Sequence, residues 1–248
     1  MTVLTSKDNP KVKHWARLAA DHRYRKKEGR ALVEGPHLVS AYRGKPIAVL
    51  VTEEALAGKE VAGLAGKSPT VVSEGVFRSI VEAENPPGIA AEIAIPEPKE
   101  SSGDVVFLEG VQDPGNVGAI IRSAAAFGIG EVVLDQACAD AWSPRALRAG
   151  MGGHFSLSIR PVARLEFAGF DGTLVCTVVR GGTALSAADM KGRLGWIFGG
   201  EGRGVGPEAE RQAKLKVTIP LSPGTESLNV AAAAAICLYQ ASSSRPAS

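Results

Sequence analysis

Five glycines lie within the eight residues 199–206, GGEGRGVG, and Glu201 is the one acid among them. Glycine lets the backbone approach a ligand closely because it carries no side chain. The phosphate-binding patterns G-x-G-x-x-G and G-x-x-x-x-G-K-[ST] do not occur in this segment. The segment therefore predicts a backbone-lined cavity with a carboxylate at its edge. The alternative is a plain turn in which Glu201 precedes a helix, where acids are favoured.

A second segment, residues 116–128 (NVGAIIRSAAAFG), follows a Pro-Gly pair and predicts a helix. We expect Asn116 to cap it, because an asparagine side chain accepts the free amides of a first turn. Gly128 is expected to end the helix. Arg122 is its only charged residue. Arg122 is either a functional side chain or simply the solvent-facing one.

A third segment, residues 222–239 (SPGTESLNVAAAAAICLY), joins a loop of small polar residues to a helix with almost no side chains. Ser227 is expected to cap this helix, and Asn229 brings an amide into its first turn. Five consecutive alanines make a slim rod that another backbone segment can approach. A routinely capped, buried alanine helix is the alternative.

Strands rich in Val, Ile and Leu alternate with helices along the chain, which predicts an α/β fold with a parallel sheet covered on both faces. In such sheets, ligands bind beyond the carboxyl ends of the strands. The three loops 109–116, 199–206 and 220–227 each follow a predicted strand. We therefore expect them to form one pocket.

The polar stretch PEPKESSG suggests a linker between two domains. We place an N-terminal domain at 1–96, a linker at 97–103, a C-terminal domain at 104–241 and a disordered tail at 242–248. In the first domain the predicted helices lie at 10–20, from about residue 36, and at 75–84, and the strands at 31–35, 47–52, 70–74 and 88–95.

The composition excludes several classes of protein. No apolar run reaches the roughly 18–20 residues of a membrane-spanning helix. Three widely spaced cysteines and four scattered histidines predict neither a disulfide framework nor a zinc site. We expect a cytoplasmic protein without a metal.

Charge is concentrated in residues 1–30, which carry nine Lys or Arg against three acids. Such a basic arm suggests a polyanionic partner, with nucleic acid the first candidate; a solvated helix face is the alternative. Arg145 and Arg148 lie three apart on one predicted helix and are equally candidates for phosphate contacts or ordinary surface charge. The candidate RNA-contacting residues are Lys11, Lys13, Arg23, Arg25, Arg145 and Arg148.

The segments NVGAIIRSAAAFG, IFGGEGRGV and IPLSPGTESLNVAAAAAICLY, in this order, resemble the three motifs of the SpoU family of RNA ribose 2'-O-methyltransferases. That family belongs to the SPOUT superfamily. Residues 4–39 are similar to its N-terminal RNA-binding domain. The resemblance covers nearly the whole chain. It implies an L30e-like N-terminal domain and a C-terminal SPOUT domain with a deep trefoil knot, and a slim helix suits a chain that passes through its own loop.

The same resemblance implies a homodimer that binds S-adenosylmethionine. The residues that match the family's functional positions are Asn116, Arg122, Glu201, Ser227 and Asn229. The expected cofactor contacts are Gly199, Gly200, Gly202, Ile219, Leu228 and Thr177.

The implied reaction is methyl transfer to a ribose 2'-hydroxyl of structured RNA. A guanidinium keeps its proton in proteins, so we expect Arg122 to grip a phosphate and stabilise the forming oxyanion rather than act as a base. Asn116 and Glu201 would fix Arg122 and the hydroxyl, and Ser227 would contact a neighbouring phosphate. Ribosomal RNA is preferred over transfer RNA. The rivals are base methylation, an RNA-binding module without activity, and a nucleotide-binding enzyme.

Overall fold

A computed structural model describes residues 2–83 and 85–244. The helices are α1 (Pro10–Ala20), α2 (His22–Glu28), α3 (Pro36–Ala41), α4 (Glu53–Leu56), α5 (Lys59–Ala65), α6 (Glu74–Ile80), α7 (Pro114–Ala126), α8 (Pro144–Gly150), α9 (Pro207–Gln212) and α10 (Val230–Ser243). The strands are β1 (Arg30–Glu34), β2 (Ala48–Val51), β3 (Thr70–Val71), β4 (Ile89–Ala94), β5 (Val105–Glu109), β6 (Glu131–Leu134), β7 (Ser158–Pro161), β8 (Thr173–Thr177), β9 (Thr183–Ala184), β10 (Leu194–Gly199) and β11 (Leu215–Thr218).

The chain forms two compact units. The first consists of Met1–Pro96 together with Asp140–Phe155, and the second of Glu97–Ala139 with Ser156–Ser248. The second unit thus begins where we placed the linker, but residues 140–155, which we assigned to the C-terminal domain, group with the first unit.

The first unit is a small α/β domain. Its four-stranded sheet has the order β1-β4-β2-β3, with β4 antiparallel to both neighbours and β2 parallel to β3. Helix α1 begins at Pro10 after the Asn9 cap, as predicted, and buries Trp15 and Leu18. These side chains pack with Leu50 and Phe77 in one core.

Residues 140–155 are held to the first unit by ion pairs as well as by packing. Helix α8 packs against β1. The buried Arg25 pairs with Asp140 at 2.7 Å, and Arg148 pairs with Glu34 at 3.2 Å. Burial raises the pKa of Glu34, against the opposing effects of the Glu82 amide and Arg148. No local sequence pattern predicts these pairs, because the partners lie more than a hundred residues apart.

The second unit contains the predicted parallel sheet. Its seven strands run in the order β7-β6-β5-β10-β8-β11-β9, and every neighbouring pair is parallel. The central strand β10 is buried and contributes Trp196 and Phe198 to the core. Helix α10 packs on α7 and β10.

Several element boundaries differ from those expected. Helix α6 ends at Ile80 rather than residue 84, because Val81 adopts an extended conformation with φ −96°. Strand β3 has two residues instead of five. The predicted linker is in the second unit, where Arg193 donates to the carbonyls of Ser101 and Gly103.

The predicted tail also differs. Helix α10 runs to Ser243, so it includes the first two residues of that segment. Residues 245–248 lie outside the described part of the chain. None of the helices in residues 2–83 and 85–244 is long and apolar enough to cross a bilayer.

Candidate functional site

The glycine-rich segment 199–206 folds into a closed loop at the end of β10. The Gly204 amide donates to the Gly200 carbonyl at 2.9 Å. A Cβ on Gly199 would collide with the backbone of Gly204, and one on Gly200 with the carbonyl of Gly110. Gly202 and Gly204 instead have positive φ angles of 86° and 65°. Glycine is therefore needed for close backbone approach at the first two positions and for left-handed backbone at the other two.

The cap of α7 is Asp113, not Asn116 as we expected. The Asp113 side chain accepts the amide of Asn116 at 3.0 Å, and Pro114 occupies the first helical position. Proline suits that position because a backbone N–H there would have no acceptor within the helix, so no hydrogen bond is lost. The shift of the cap leaves the Asn116 side chain available for other contacts.

The cap of α10 is Asn229, so the expected cap at Ser227 is also corrected. Oδ1 of Asn229 accepts the amides of Ala231 and Ala232 at 2.9 and 3.2 Å. Asparagine and serine are about equally good caps, and the sequence offered both within three residues. Ser227 lies exposed in the loop before the helix.

A chain of hydrogen bonds joins the three predicted loops. Nδ2 of Asn116 donates to Oε1 of Glu201, and Nδ2 of Asn229 donates to Oδ1 of Asn116 at 3.0 Å. An ionised carboxylate can only accept, so Asn116 must present its amide nitrogen to Glu201. Its oxygen then faces the nitrogen of Asn229, whose own oxygen caps α10. The two amides are therefore oriented by a carboxylate at one end and a helix N-terminus at the other.

A cavity of about 450 Å³ lies among the carboxyl ends of β8, β10 and β11 in this unit. All six residues expected to contact a cofactor line it, and so do Glu201 and Ser227. Sequence reasoning missed further lining residues; the signal that could have found most of them is their position within two residues of those already chosen. The missed residues are Val178, Val179, Arg203, Gly204, Val205, Leu221, Glu226, Val230 and Ala233.

Two apolar side chains of the cavity are partly open to solvent. Val179 is 62% exposed and Leu228 is 36% exposed. Another cavity, of about 500 Å³, lies in the first unit beside Leu4, Pro10 and Lys11. It contains none of the expected catalytic residues.

Arg122 is not joined to the hydrogen-bonded chain. It follows Asn116 by six positions on α7, which at about 100° per residue places the two side chains on different faces. Its side chain is exposed, and no hydrogen bond or ion pair to a described residue is found for it. Asn116 and Glu201 thus bind each other and do not fix Arg122 as we expected.

Residues 104–239 match the model of the SpoU rRNA Methylase family. The chain belongs to this family. Residues 9–91 match the MRM3-like substrate binding domain. The family predicted from the three motifs is therefore confirmed, as is an α/β fold with a smaller N-terminal domain.

Similar proteins and structures cover between two thirds and almost all of this SpoU chain. The 23S rRNA (guanosine(2553)-2'-O)-methyltransferase RlmP of Bacillus subtilis is 34% identical over 96% of this chain and 98% of its own. The 23S rRNA (adenosine(1067)-2'-O)-methyltransferase of Streptomyces laurentii is 34% identical over 68% of this chain and 67% of its own. The crystal structure of an AdoMet-bound rRNA methyltransferase from Sinorhizobium meliloti superposes with a TM-score of 0.83 at 27% identity, covering 99% of both chains.

The candidate RNA-contacting residues of this SpoU chain differ in solvent exposure and in the contacts they already make. Lys11 and Arg23 are exposed, and Lys13 pairs with Asp8 at 2.8 Å. Arg25 requires a correction: it is 4% exposed, and its guanidinium binds Asp140 and the carbonyls of Leu18 and Ala19. A side chain held in this way is structural and is not presented to a phosphate.

The two arginines of α8 also differ from each other. Arg148 contacts Glu34 and Glu82, so two carboxylates already offset its charge. Arg145 is exposed.

Within residues 2–83 and 85–244, no group of three His, Cys, Asp or Glu side chains could hold a metal ion. Burial raises the pKa of Cys138 and of Cys237 to about 12, so both thiols stay protonated at neutral pH.

Proposed function

We propose that this protein transfers the methyl group of S-adenosylmethionine to a ribose 2'-hydroxyl of ribosomal RNA. The observation that carries the proposal is the hydrogen-bonded chain Glu201–Asn116–Asn229, which joins the three loops and of which Glu201 lines the cavity. The Bacillus subtilis and Streptomyces laurentii relatives, both named 23S rRNA 2'-O-methyltransferases, support the same substrate class.

The cavity fits S-adenosylmethionine in size and chemistry. Its volume of about 450 Å³ falls within the range of roughly 300–1,000 Å³ typical of small-molecule sites. Backbone at Gly199, Ile219 and Leu228 would hold the cofactor, and the remaining expected contacts shape the walls. The carboxylate of Glu201 suits a cationic ligand. The cofactor supplies an electrophilic methyl group on a sulfonium.

Positioning is the main contribution of the protein. The 2'-hydroxyl is a weak, neutral nucleophile, and correct alignment can lower such a barrier by up to about 7–11 kcal/mol. Asn116 occupies one oxygen of Glu201, which leaves Oε2 to accept the hydrogen bond of the ribose hydroxyl. The protonated guanidinium of Arg122 grips the target phosphate and stabilises negative charge on the 2'-oxygen. Ser227 contacts a neighbouring phosphate.

Methylation of purified RNA tests this function. The protein is incubated with S-adenosylmethionine and unmodified 23S ribosomal RNA or transfer RNA, and the nuclease-digested products are identified by mass spectrometry. We expect a 2'-O-methylated nucleoside from ribosomal RNA. A methylated base, or a product from transfer RNA alone, would reject the corresponding part of the proposal. An RNA-binding module without activity would release no heat on titration with S-adenosylmethionine.

RNA recognition is assigned to the first unit, on a fold of the L30e-like type. The substrate binding domain matched at residues 9–91 supports this role. Lys11, Arg23 and Arg145 are exposed cations in that unit, and Lys13 can exchange Asp8 for a phosphate. The bacterial 23S rRNA methyltransferase relatives support a cytoplasmic location.

A homodimer is supported by the exposed face of α10. Ala232, Ile236 and Tyr239 recur at helical spacing on that face, and the last two are 41% and 59% exposed. An apolar stripe of this kind is typical of a helix that packs against a partner. Light scattering of the purified protein should give twice the chain mass, and Ile236→Glu should give the monomer mass. A monomeric wild-type protein would reject this pairing.

The trefoil knot implied by the family resemblance remains part of the proposal. The close packing of the alanine-rich α10 on α7 and β10 supports it. Mechanical unfolding from both ends provides the test. A knotted chain stretches to less than its full contour length, whereas an unknotted chain reaches that length.

A further inference from the structure

One residue holds both ends of the glycine-rich loop. Glu109 is the last residue of β5 and pairs in register with Gly199 of β10. Its carbonyl accepts the amide of Gly200 at 2.9 Å, and its side-chain Oε2 accepts the amide of Gly206 at 2.7 Å. The first bond continues the ladder of the sheet. The second depends on the carboxylate alone.

The loop between those two bonds forms one wall of the cavity. Residues 199–205 all line it, including Glu201, while Glu109 and Gly206 do not. The carboxylate of Glu109 therefore acts on the cavity only through the loop. Losing its bond would release the closing end of the loop from β5.

We propose that Glu109 is a positioning residue that sets the shape of the cofactor cavity by anchoring the loop at Gly206. This inference rests on the proposed function for its consequence in cofactor binding, but its structural part stands independently. No contact of Glu109 with cofactor or RNA is required.

Gly206 offers an independent way to break the same contact. Its φ of −68° and ψ of 154° suit any residue. A Cβ there would lie 2.8 Å from Oε1 of Glu109 and 3.2 Å from its Oε2. Gly206→Ala should therefore push away the end of one flexible side chain without straining the backbone. It disturbs the anchor while leaving Glu109 in place.

The experiment compares Glu109→Ala, Gly206→Ala, the double variant and Glu109→Gln in the full chain. Affinity for S-adenosylhomocysteine is measured by calorimetry. The rate of backbone hydrogen exchange of residues 200–206 is measured on the protein without ligand. Each single alanine variant should weaken binding about tenfold, the effect of losing a hydrogen bond to a charged group. The double variant should be no weaker than Glu109→Ala, since both changes remove one contact.

Glu109→Gln should keep near-normal affinity, because its amide oxygen can still accept from Gly206. The control Glu208→Ala removes an exposed acid of α9 that contacts Arg211 and Gln212 instead. Binding of RNA in a filter assay, which is assigned to the first unit, should not change in any variant, whereas a general loss of folding would weaken it as well. Should Glu109→Ala fail to fold, Gly206→Ala and Glu109→Gln provide the same comparison.

The two proposals fail in different ways. A wild-type protein that does not bind S-adenosylhomocysteine rejects the proposed cofactor, while faster exchange of the loop in both alanine variants still supports the anchor. Unchanged exchange and affinity in those variants would overturn the role of Glu109. Additive losses in the double variant would show that the two residues do not share a contact.

Discussion

Charged side chains are used differently in the core of the first unit and at the cavity of the second. In the first unit, charged side chains are buried in pairs: Arg25 contacts Asp140, and Glu92 accepts hydrogen bonds from Trp15 and Arg30. In the second unit, the cavity is lined by glycine backbone and apolar side chains, and its charged lining residues Glu201, Arg203 and Glu226 are exposed. The charged side chain in its hydrogen-bonded chain, Glu201, stays exposed.

This difference separates charges that hold the fold from charges left for a ligand. Burial opposes ionisation of Glu92, but hydrogen bonds from Trp15, His14 and Arg30 outweigh it and lower its pKa. That stabilisation is present at neutral pH and is lost as the pH falls through the folded-state pKa. Exposed charges at the cavity contribute little to stability, so they can be changed without unfolding the protein.

The largest expected effect comes from breaking a buried pair in the first unit. Arg25→Met leaves Asp140, which is 13% exposed, with only His22 as an ionic partner. Removing one member of a buried pair costs about 3–5 kcal/mol of the free energy of unfolding. Urea unfolding should show this loss for Arg25→Met and almost none for Arg23→Met. At urea concentrations below the unfolding transition of Arg25→Met, its affinity for S-adenosylhomocysteine should equal that of the wild type. Equal stability of the two variants would mean that the pair is not structural.

A change of exposed charge in the second unit should give the opposite result. Arg122→Ala should lower kcat by about 10²–10³, as expected for losing one donor to a developing oxyanion. Cofactor affinity and the unfolding midpoint should stay close to wild type. Turnover with RNA and calorimetry with S-adenosylhomocysteine provide the measurements, and Arg164→Ala is the exposed control. If Arg122→Ala instead loses cofactor affinity, Arg122 supports the fold of the cavity.

The sequence predicted the second unit better than the first. Parallel strands and strand-end loops follow local patterns, so the loops around Asn116 and Glu201 could be expected to meet, although Asn116 does not line the cavity. The caps were misplaced because Asp113 and Asn116, like Ser227 and Asn229, are all good capping residues. Arg25 looked like part of a basic surface because its partner Asp140 lies 115 residues away. Such distant pairs leave no periodic signal in a single sequence.

The buried His154 of the first unit should make the free energy of unfolding depend on pH. Burial lowers the pKa of His154 from 6.5 to about 4, and its Nε2 contacts the carbonyl of Ala141. Between these pH values the unfolded chain binds the proton and the folded one does not. The free energy of unfolding therefore falls as the pH is lowered, by up to about 1.4 kcal/mol per pH unit.

Urea unfolding at several pH values compares the wild type with His154→Gln. The glutamine amide can still donate to the carbonyl of Ala141 but does not titrate. The part of the slope of unfolding free energy against pH that His154 contributes should therefore disappear. The exposed His37→Gln provides the control and should retain the wild-type slope. An unchanged slope in His154→Gln would place the acid sensitivity elsewhere.

The smallest effect is expected from the exposed cations of the first unit. Lys11→Gln and Arg23→Gln should each weaken RNA binding modestly and reduce the salt dependence of the binding constant by about one unit of slope. Filter binding at several salt concentrations measures this slope. Lys191→Gln, in the second unit and next to Asp189, should leave it unchanged. If Lys11→Gln and Arg23→Gln keep the wild-type slope, Lys11 and Arg23 belong to a solvated surface. Recognition of RNA must then rest on other residues.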